Sequence, residues 1–153
     1  RIILFPLANP SGFDHSRRLV YPTNVDPNRD FPIEQYTRCY QASSSVIIDH
    51  IFRKYHIDLT LALHNGQSEI AWNWGTLRES GESRTKDERI YRELGEWLRF
   101  VGGENRKIGM DGFRIGTMDE VVYPVEGGFE DWAYAAEWYE KSQGVKPSRG
   151  CPF

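Results

Sequence analysis

A short loop in the first fifth of the chain carries an amide beside an arginine, a pair of side chains that can bind a carboxylate. Asn28 and Arg29 follow Asp26 and Pro27. A guanidinium offers two parallel donors to a carboxylate, and the amide offers another. The alternative is an ordinary surface arginine that pairs with Asp26 or Asp30. If the ligand is a peptide, the first interpretation makes this loop a site for a free C-terminus.

Hydrophobic patterning predicts an α/β protein whose sheet is at least partly parallel. Residues 2–5 form a continuous apolar run, and residues 57–63 alternate between apolar and polar side chains before ending apolar, so we expect two strands. Apolar residues at helical spacing over 34–55 predict a helix between them, which makes the strands parallel. Sites in such sheets form at the carboxyl ends of strands. We therefore expect the loop containing Asn28 and the residue His64 to face one crevice.

Two further helices are predicted after the second strand. Thr85 with Glu88 has the spacing of a capping box, and Gly102 with Gly103 ends the first of these helices. Its apolar face consists of Ile90, Leu94, Trp97, Leu98 and Val101. A second helix is expected from about Phe129 to Lys141, followed by a loop.

Composition and charge exclude several classes of protein. The 153 residues carry a net charge of −3 with acids and bases interspersed, so we expect no nucleic-acid partner. No apolar run reaches the ~20 residues of a membrane span. Because the chain opens inside a strand-like run, we expect upstream sequence to be missing. Cys39 and Cys151 either pair or are both free, and the compartment stays open, with a secreted or lumenal one slightly favoured.

Three blocks of sequence resemble the zinc metallocarboxypeptidase family of the carboxypeptidase A and B type. The first is Asn9-Pro10-Ser11-Gly12-Phe13 with the later Asp26-Pro27-Asn28-Arg29-Asp30-Phe31. The second is Leu63-His64 followed by Trp72-Asn73-Trp74-Gly75, and the third runs from Tyr123 through Gly127-Gly128 to Asp131-Trp132-Ala133-Tyr134. The resemblance implies a metallocarboxypeptidase-like fold, with residues 1–153 as one partial catalytic domain. The implied activity is zinc-dependent hydrolysis of the C-terminal peptide bond of peptides or proteins.

The resemblance also implies a role for individual residues. Asn28 and Arg29 would bind the terminal carboxylate, and Arg18 would stabilise the oxyanion, with Arg17 as the alternative for that role. His64 would be a zinc ligand. Tyr123 would close over the bound terminal residue and donate its phenolic hydroxyl.

Glu130 matches the family position at the bottom of the pocket for the terminal side chain. A carboxylate there favours a basic terminal residue, because a buried charge needs a partner. The alternative is that Glu130, in the first turn of a helix, points to solvent and interacts with the helix dipole. The chain leaves both interpretations open.

Several parts of the family pattern are missing from this chain. None of the four histidines has a glutamate three residues later, and no glutamate after Trp132 fits the general base. We therefore expect the remaining Zn2+ ligands outside this chain and no activity from the chain alone. Its partners would be peptide or protein C-termini and the missing parts of its own domain. The alternatives are an inactive carboxypeptidase-like protein that binds peptides or has a structural role, and a related amidase.

Overall fold

The chain is divided into two units, one of which is built from both ends of the sequence. Unit 1 comprises Arg1–Leu59 and Gly127–Phe153, and unit 2 comprises Thr60–Glu126. The computed structural model describes residues 1–31, 39–75, 85–103 and 112–135.

The regular secondary structure described in unit 1 is mainly helical. Helix α1 spans Pro10–Asp14, a 3-10 turn spans Pro27–Arg29, and helix α2 spans Ser43–Lys54. Helical backbone is also described at 129–135. An isolated antiparallel bridge joins Val20 to Val25.

Aromatic rings form the core of unit 1. Phe31 and Trp132 are buried, and their ring centroids are 5.1 Å apart. Phe129 packs against Phe31 at 5.4 Å, and Phe52 of α2 packs against Trp132 at 5.4 Å. Each such pair stabilises the fold by roughly 0.5–1.5 kcal/mol beyond its buried area. This cluster joins the residues after the 3-10 turn to the 129–135 helix.

Unit 2 contains a parallel strand pair with a helix between its strands in sequence. Strand β1 spans Glu69–Trp72, α3 spans Glu88–Gly103, and β2 spans Arg114–Thr117. Glu69 lies opposite Arg114 and Trp72 lies opposite Thr117. Helix α3 packs against both strands, and a short helix α4, Met118–Val121, follows β2. The predicted α/β class with a partly parallel sheet is therefore confirmed.

Trp72 connects β1 to α3 through a ring contact and a hydrogen bond. Its buried ring stacks on Tyr91 of α3 with centroids 6.3 Å apart, and its Nε1 donates a hydrogen bond to Glu88 at 2.9 Å. Gly95 leaves room for this ring, since a Cβ there would lie 3.1 Å from it. The first turn of α3 is thereby held against the sheet.

The two strands predicted at 2–5 and 57–63 were wrong. Neither segment is extended into a sheet, and except for the half-buried Ile57 their apolar residues are exposed, with Ile2 at 85% and Leu63 at 95%. A strand forms only where a neighbour accepts its backbone hydrogen bonds, and no described residue pairs with either run. The parallel unit exists, but it is built from β1, α3 and β2 instead.

The helix predictions were correct in type and wrong at several ends. Helix α2 begins at Ser43, and the part of the predicted helix at 34–38 lies outside the described residues. Helix α3 begins at Glu88, and Glu88 bonds Trp72 instead of forming a capping box with Thr85. On the predicted apolar face, Leu94 and Leu98 are half-buried whereas Ile90, Trp97 and Val101 are exposed.

Two smaller expectations can be compared with the structure. Cys39 is disulfide-bonded, which favours the paired alternative, and Cys151 lies outside the described residues. Among the helices that the structure describes, none has both the length and the apolar character for a membrane crossing.

Candidate functional site

The turn that carries Asn28 and Arg29 is shaped by the two residues before it. Asp26 is the N-cap of the 3-10 turn, and its Oδ1 accepts the backbone N–H of Asn28 at 2.9 Å. Pro27 follows at the first position, where its fixed φ suits a helical turn and its missing N–H costs nothing. The sequence Asp-Pro-Asn-Arg thus encodes the turn locally.

Asp30 holds the other side of the same turn. Its side chain is only 2% exposed, and its carboxylate accepts the backbone N–H groups of Gln41 and Ala42, the latter at 2.8 Å. Ala42 is the N-cap of α2, so Asp30 satisfies donors that a helix start leaves unpaired. The residue after Arg29 is therefore fixed to the start of α2.

Asn28 connects the turn to the 129–135 helix. Its Oδ1 accepts the backbone N–H of Phe129 at 2.9 Å, and its Nδ2 lies 3.5 Å from Oε2 of Glu130. Arg29 donates from Nη1 to the backbone oxygen of Asn28 at 2.6 Å. Three residues predicted from sequence to contact one substrate thus lie together in unit 1.

Gly127 allows the two segments to approach this closely. Its φ is +66°, and a Cβ there would lie 2.6 Å from the carbonyl oxygen of Arg29. Its own carbonyl accepts the backbone N–H of Phe31 at 3.1 Å. Only glycine can adopt this φ and also fit this close contact, which explains why the first residue of the pair is a glycine.

The Glu130 side chain turns inward. Burial raises the pKa of its carboxyl, and the Asp131 charge adds to that effect. Its own backbone N–H, Asn28 and the Arg29 charge act on the pKa in the opposite direction. Oε1 is buried and has no hydrogen-bond partner among the described residues. A carboxylate in this state is stabilised by the arrival of a cation.

Arg18 is linked to the same turn through Asp26. Its Nε donates to Oδ2 of Asp26 at 2.7 Å, while Oδ1 of the same carboxylate caps the turn. Asn9 binds the backbone oxygen of Arg18 at 2.7 Å and also caps α1 through the N–H of Gly12. Arg17 bonds Asn24 instead. The Asn-Pro-Ser-Gly block therefore positions the backbone of Arg18.

His64 and Tyr123 belong to unit 2. His64 is exposed and lies in irregular chain, so the strand that we expected to precede it is absent there. Tyr123 is 48% exposed, and its backbone N–H bonds the carbonyl of Met118 at 3.1 Å, just after α4. The shared crevice predicted for His64 and the Asn28 loop stays a prediction.

A zinc centre is not assembled by the residues that the structure describes. Within 1–31, 39–75, 85–103 and 112–135, no three His, Cys, Asp or Glu side chains are grouped closely enough to hold a metal. His15 contacts the backbone oxygen of Ser11 at 2.8 Å, and His56 pairs with Asp58 at 3.4 Å on the surface. A catalytic zinc requires about three protein ligands, so the described residues do not complete a zinc site that includes His64.

No pattern in the sequence indicates which groups the Asp30 carboxylate binds. Its partners Gln41 and Ala42 lie 11 and 12 positions away and bind it through backbone N–H groups, which any residue except proline provides. Asp26 could have been assigned as a cap from the Asp-Pro-Asn pattern alone. Asp131 and Trp132, which follow Glu130, are both buried.

One of three comparisons with known proteins identifies the family of this chain. The zinc carboxypeptidase family model matches residues 1–147, and the chain therefore belongs to that family. A search of curated proteins found no match, and a search of solved structures found none either. Complete members of the family bind zinc.

Proposed function

We propose that this protein is a carboxypeptidase that removes single residues from the C-terminus of peptides or proteins. The observation that carries the proposal is the Pro27–Arg29 turn, held by Asp26 on one side and by Asp30 on the other. A rigid turn presents its donors without an ordering cost at the moment of binding. Membership of the zinc carboxypeptidase family supports the same activity.

In this proposal Arg29 and Asn28 bind the terminal carboxylate, which distinguishes an exopeptidase substrate from an internal peptide bond. Arg18 supplies a fixed positive charge for the oxygen of the scissile carbonyl, and its link to Asp26 supports that role over Arg17. Tyr123 covers the terminal residue and donates its hydroxyl. The partially exposed phenol is accessible for such a contact.

Zinc enters the proposal only through His64. An imidazole nitrogen of His64 would be one ligand, and the remaining ligands would come from outside this sequence. When bound, zinc would supply a Lewis acid for peptide hydrolysis.

The first test replaces Arg29 with alanine in the full-length protein. Losing one partner of a desolvated charge pair costs about 2–5 kcal/mol, on the order of 30- to several-thousand-fold in kcat/KM for free-acid peptides. Amidated peptides lack the carboxylate, so they should be poor substrates already and lose much less. Hydrolysis is measured by mass spectrometry of the released residue.

The control for Arg29→Ala is Arg89→Ala, which removes an exposed charge from α3 of unit 2. It should leave both substrates unaffected. Equal losses with free-acid and amidated peptides in Arg29→Ala would show that Arg29 does not bind the carboxylate. The pair Arg17→Ala and Arg18→Ala then decides between the two arginines, with the larger kcat loss expected for Arg18.

We also propose that Glu130 selects a basic terminal residue. Its inward carboxylate has a buried oxygen without a partner in the described chain, and this supports pairing with an incoming Lys or Arg. The preference for Arg over Leu should shrink by at least about tenfold in Glu130→Gln, or roughly 1.4 kcal/mol. A wild-type preference for Leu would contradict this assignment.

A second candidate function is peptide binding without hydrolysis. The lack of a grouped metal site in the described residues favours it, because the carboxylate-binding turn can act alone. Both candidates predict that free-acid peptides bind and that Arg29→Ala weakens binding. The two candidates differ in turnover. If zinc-supplemented full-length protein is saturated with such peptides and releases no residue, the protein binds peptides without hydrolysing them.

A further inference from the structure

The side chain of Asn28 is engaged on two sides before any substrate arrives. Its Oδ1 accepts the N–H of Phe129 at 2.9 Å, and its Nδ2 faces Oε2 of Glu130 at 3.5 Å. An amide nitrogen carries two hydrogens, so a hydrogen directed to Glu130 leaves the other for a second acceptor. Under the proposed function, that second acceptor is the terminal carboxylate of the substrate.

We propose that Asn28 is a positioning residue for Glu130, so that recognition of the terminal carboxylate and recognition of the terminal side chain are coupled through one amide. The inference rests on the proposed function and deepens it, because it makes a carboxylate-binding residue contribute to side-chain selectivity.

The geometry requires this link for two reasons. First, both polar atoms of the Asn28 side chain contact the first turn of the 129–135 helix. A shift of the Asn28 amide therefore changes its distance to Glu130. Second, within the described chain Asn28 is the side chain that donates a hydrogen bond to Glu130, whose other oxygen has no partner. Burial raises the pKa of Glu130, and the Asn28 hydrogen bond opposes that rise together with the Arg29 charge. Asn28 thus favours the ionised form that a basic residue needs.

The neighbouring backbone makes the coupling rigid. Gly127 binds the N–H of Phe31 through its carbonyl at 3.1 Å, and Asp26 binds the N–H of Asn28 at 2.9 Å. The turn and the start of the helix are therefore fixed to each other independently of the Asn28 side chain. Removing that side chain should consequently change the contact with Glu130 more than the overall fold.

The kinetic test is a double-mutant cycle in the full-length protein. The measured quantity is the ratio of kcat/KM for two peptides that differ only in ending with Arg or Leu, in wild type, Asn28→Ala, Glu130→Gln and the double variant. Hydrogen bonds to charged groups are worth on the order of tenfold, so Asn28→Ala should lower both rates and also lower the ratio by about that factor. In the Glu130→Gln background the same change should leave the ratio unaltered.

If Asn28→Ala reduces both peptides equally and leaves the Arg/Leu ratio at the wild-type value, the coupling is overturned and Asn28 contacts only the carboxylate. A ratio that falls as much in the Glu130→Gln background as in wild type overturns it too. A wild-type protein without Arg preference contradicts the proposed function itself, and the next measurement then decides the coupling.

The second measurement needs neither turnover nor an Asn28 variant. The NMR signals of the Asn28 side-chain amide should move with pH as Glu130 titrates in the wild-type protein, and this movement should disappear in Glu130→Gln. Amide signals that do not follow pH, or that follow it equally in Glu130→Gln, would overturn the contact. Both proteins in this test retain Asn28, so the result does not depend on whether the Asn28→Ala variant folds.

Discussion

Unit 1 and unit 2 hold their functional residues in different ways. In unit 1, side chains bind backbone groups far away in sequence, as Asp30 does with the start of α2 and Asn28 does with the 129–135 helix. In unit 2, regular elements supply the framework: the register of β1 with β2, the packing of α3, and the Trp72–Glu88 hydrogen bond. Recognition in unit 1 thus depends on particular side chains, whereas the framework of unit 2 depends on backbone ladders that many sequences support.

Of the substitutions that test this contrast, Gly127→Ala in unit 1 should have the largest effect on stability. Alanine must adopt a φ of +66°, and its Cβ must avoid the carbonyl oxygen of Arg29 at 2.6 Å, which belongs to backbone that cannot rotate away. Strain and overpacking together should destabilise unit 1 by about 3–4 kcal/mol. Denaturant unfolding measures this loss, and cleavage of free-acid peptides should fall with it.

The matched control is Gly102→Ala in α3 of unit 2. A Cβ there meets the ring of Phe113 at an ordinary 3.7 Å in helical backbone, so the change should be neutral or stabilise by up to about 1 kcal/mol. Equal destabilisation by both variants would remove the distinction between the units.

A smaller effect is expected from Asp30→Ala. The change leaves the N–H groups of Gln41 and Ala42 without their acceptor, and Ala42 is fully buried. Unsatisfied buried donors cost about 1–3 kcal/mol each, so we expect a loss of about 2–3 kcal/mol, with faster hydrogen exchange along α2.

Glu88→Ala is the unit 2 counterpart of that change. It removes the acceptor of Trp72 Nε1 and the ion pair with Arg92, and it should cost about 1–2 kcal/mol. The β1–β2 ladder does not use Glu88. Hydrogen exchange in that ladder should therefore change less in Glu88→Ala than hydrogen exchange in α2 changes in Asp30→Ala. The opposite order would contradict the comparison.

The smallest expected effect is a stabilisation by Glu130→Gln. Because burial raises the pKa of Glu130, the folded protein holds this proton more tightly than the unfolded chain does. Wild-type stability is therefore lost as the pH rises from the unfolded pKa through the folded pKa, and glutamine avoids that loss. At neutral pH the variant should therefore be more stable than wild type and have a higher Tm.

The same comparison below the pH range of carboxyl titration is the control for Glu130→Gln. There the wild-type carboxyl is neutral in both states, so the two proteins should have equal Tm values. A stability difference that does not depend on pH would show that the Glu130 charge is not responsible.

Sequence reasoning succeeded where the signal was local and failed where it required a partner. The helix at Ser43–Lys54 follows from apolar spacing. The runs at 2–5 and 57–63 carry the composition of strands but have no pairing neighbour in the described chain. Strand β1, with only four residues, Glu69–Trp72, is too short to show a period, and its parallel partner lies 45 positions away.

The same distinction between local signals and contacts with distant partners applies to the site residues. Asn28 and Arg29 were singled out because their block resembles a family pattern, and their role stays a prediction. The capping contact of Asp26 could be predicted because an N-cap acts within three residues. The roles of Asp30 and Gly127 depend on contacts made through backbone atoms, which carry no residue-specific signal. Such contacts are visible only once the chain is folded.

The hydrogen bond between Asn28 and Phe129 also constrains how the protein is made. The two residues are separated by 101 positions, and all of unit 2 is synthesised between them. While the ribosome is still adding unit 2, the Pro27–Arg29 turn exists without the helix start that it contacts in the folded protein. Closing so long a loop is slow relative to forming local structure, so the strands and helix of unit 2 have time to fold first. A nascent chain released before Phe129 therefore contains Asn28 and Arg29 but lacks the surface against which they are held.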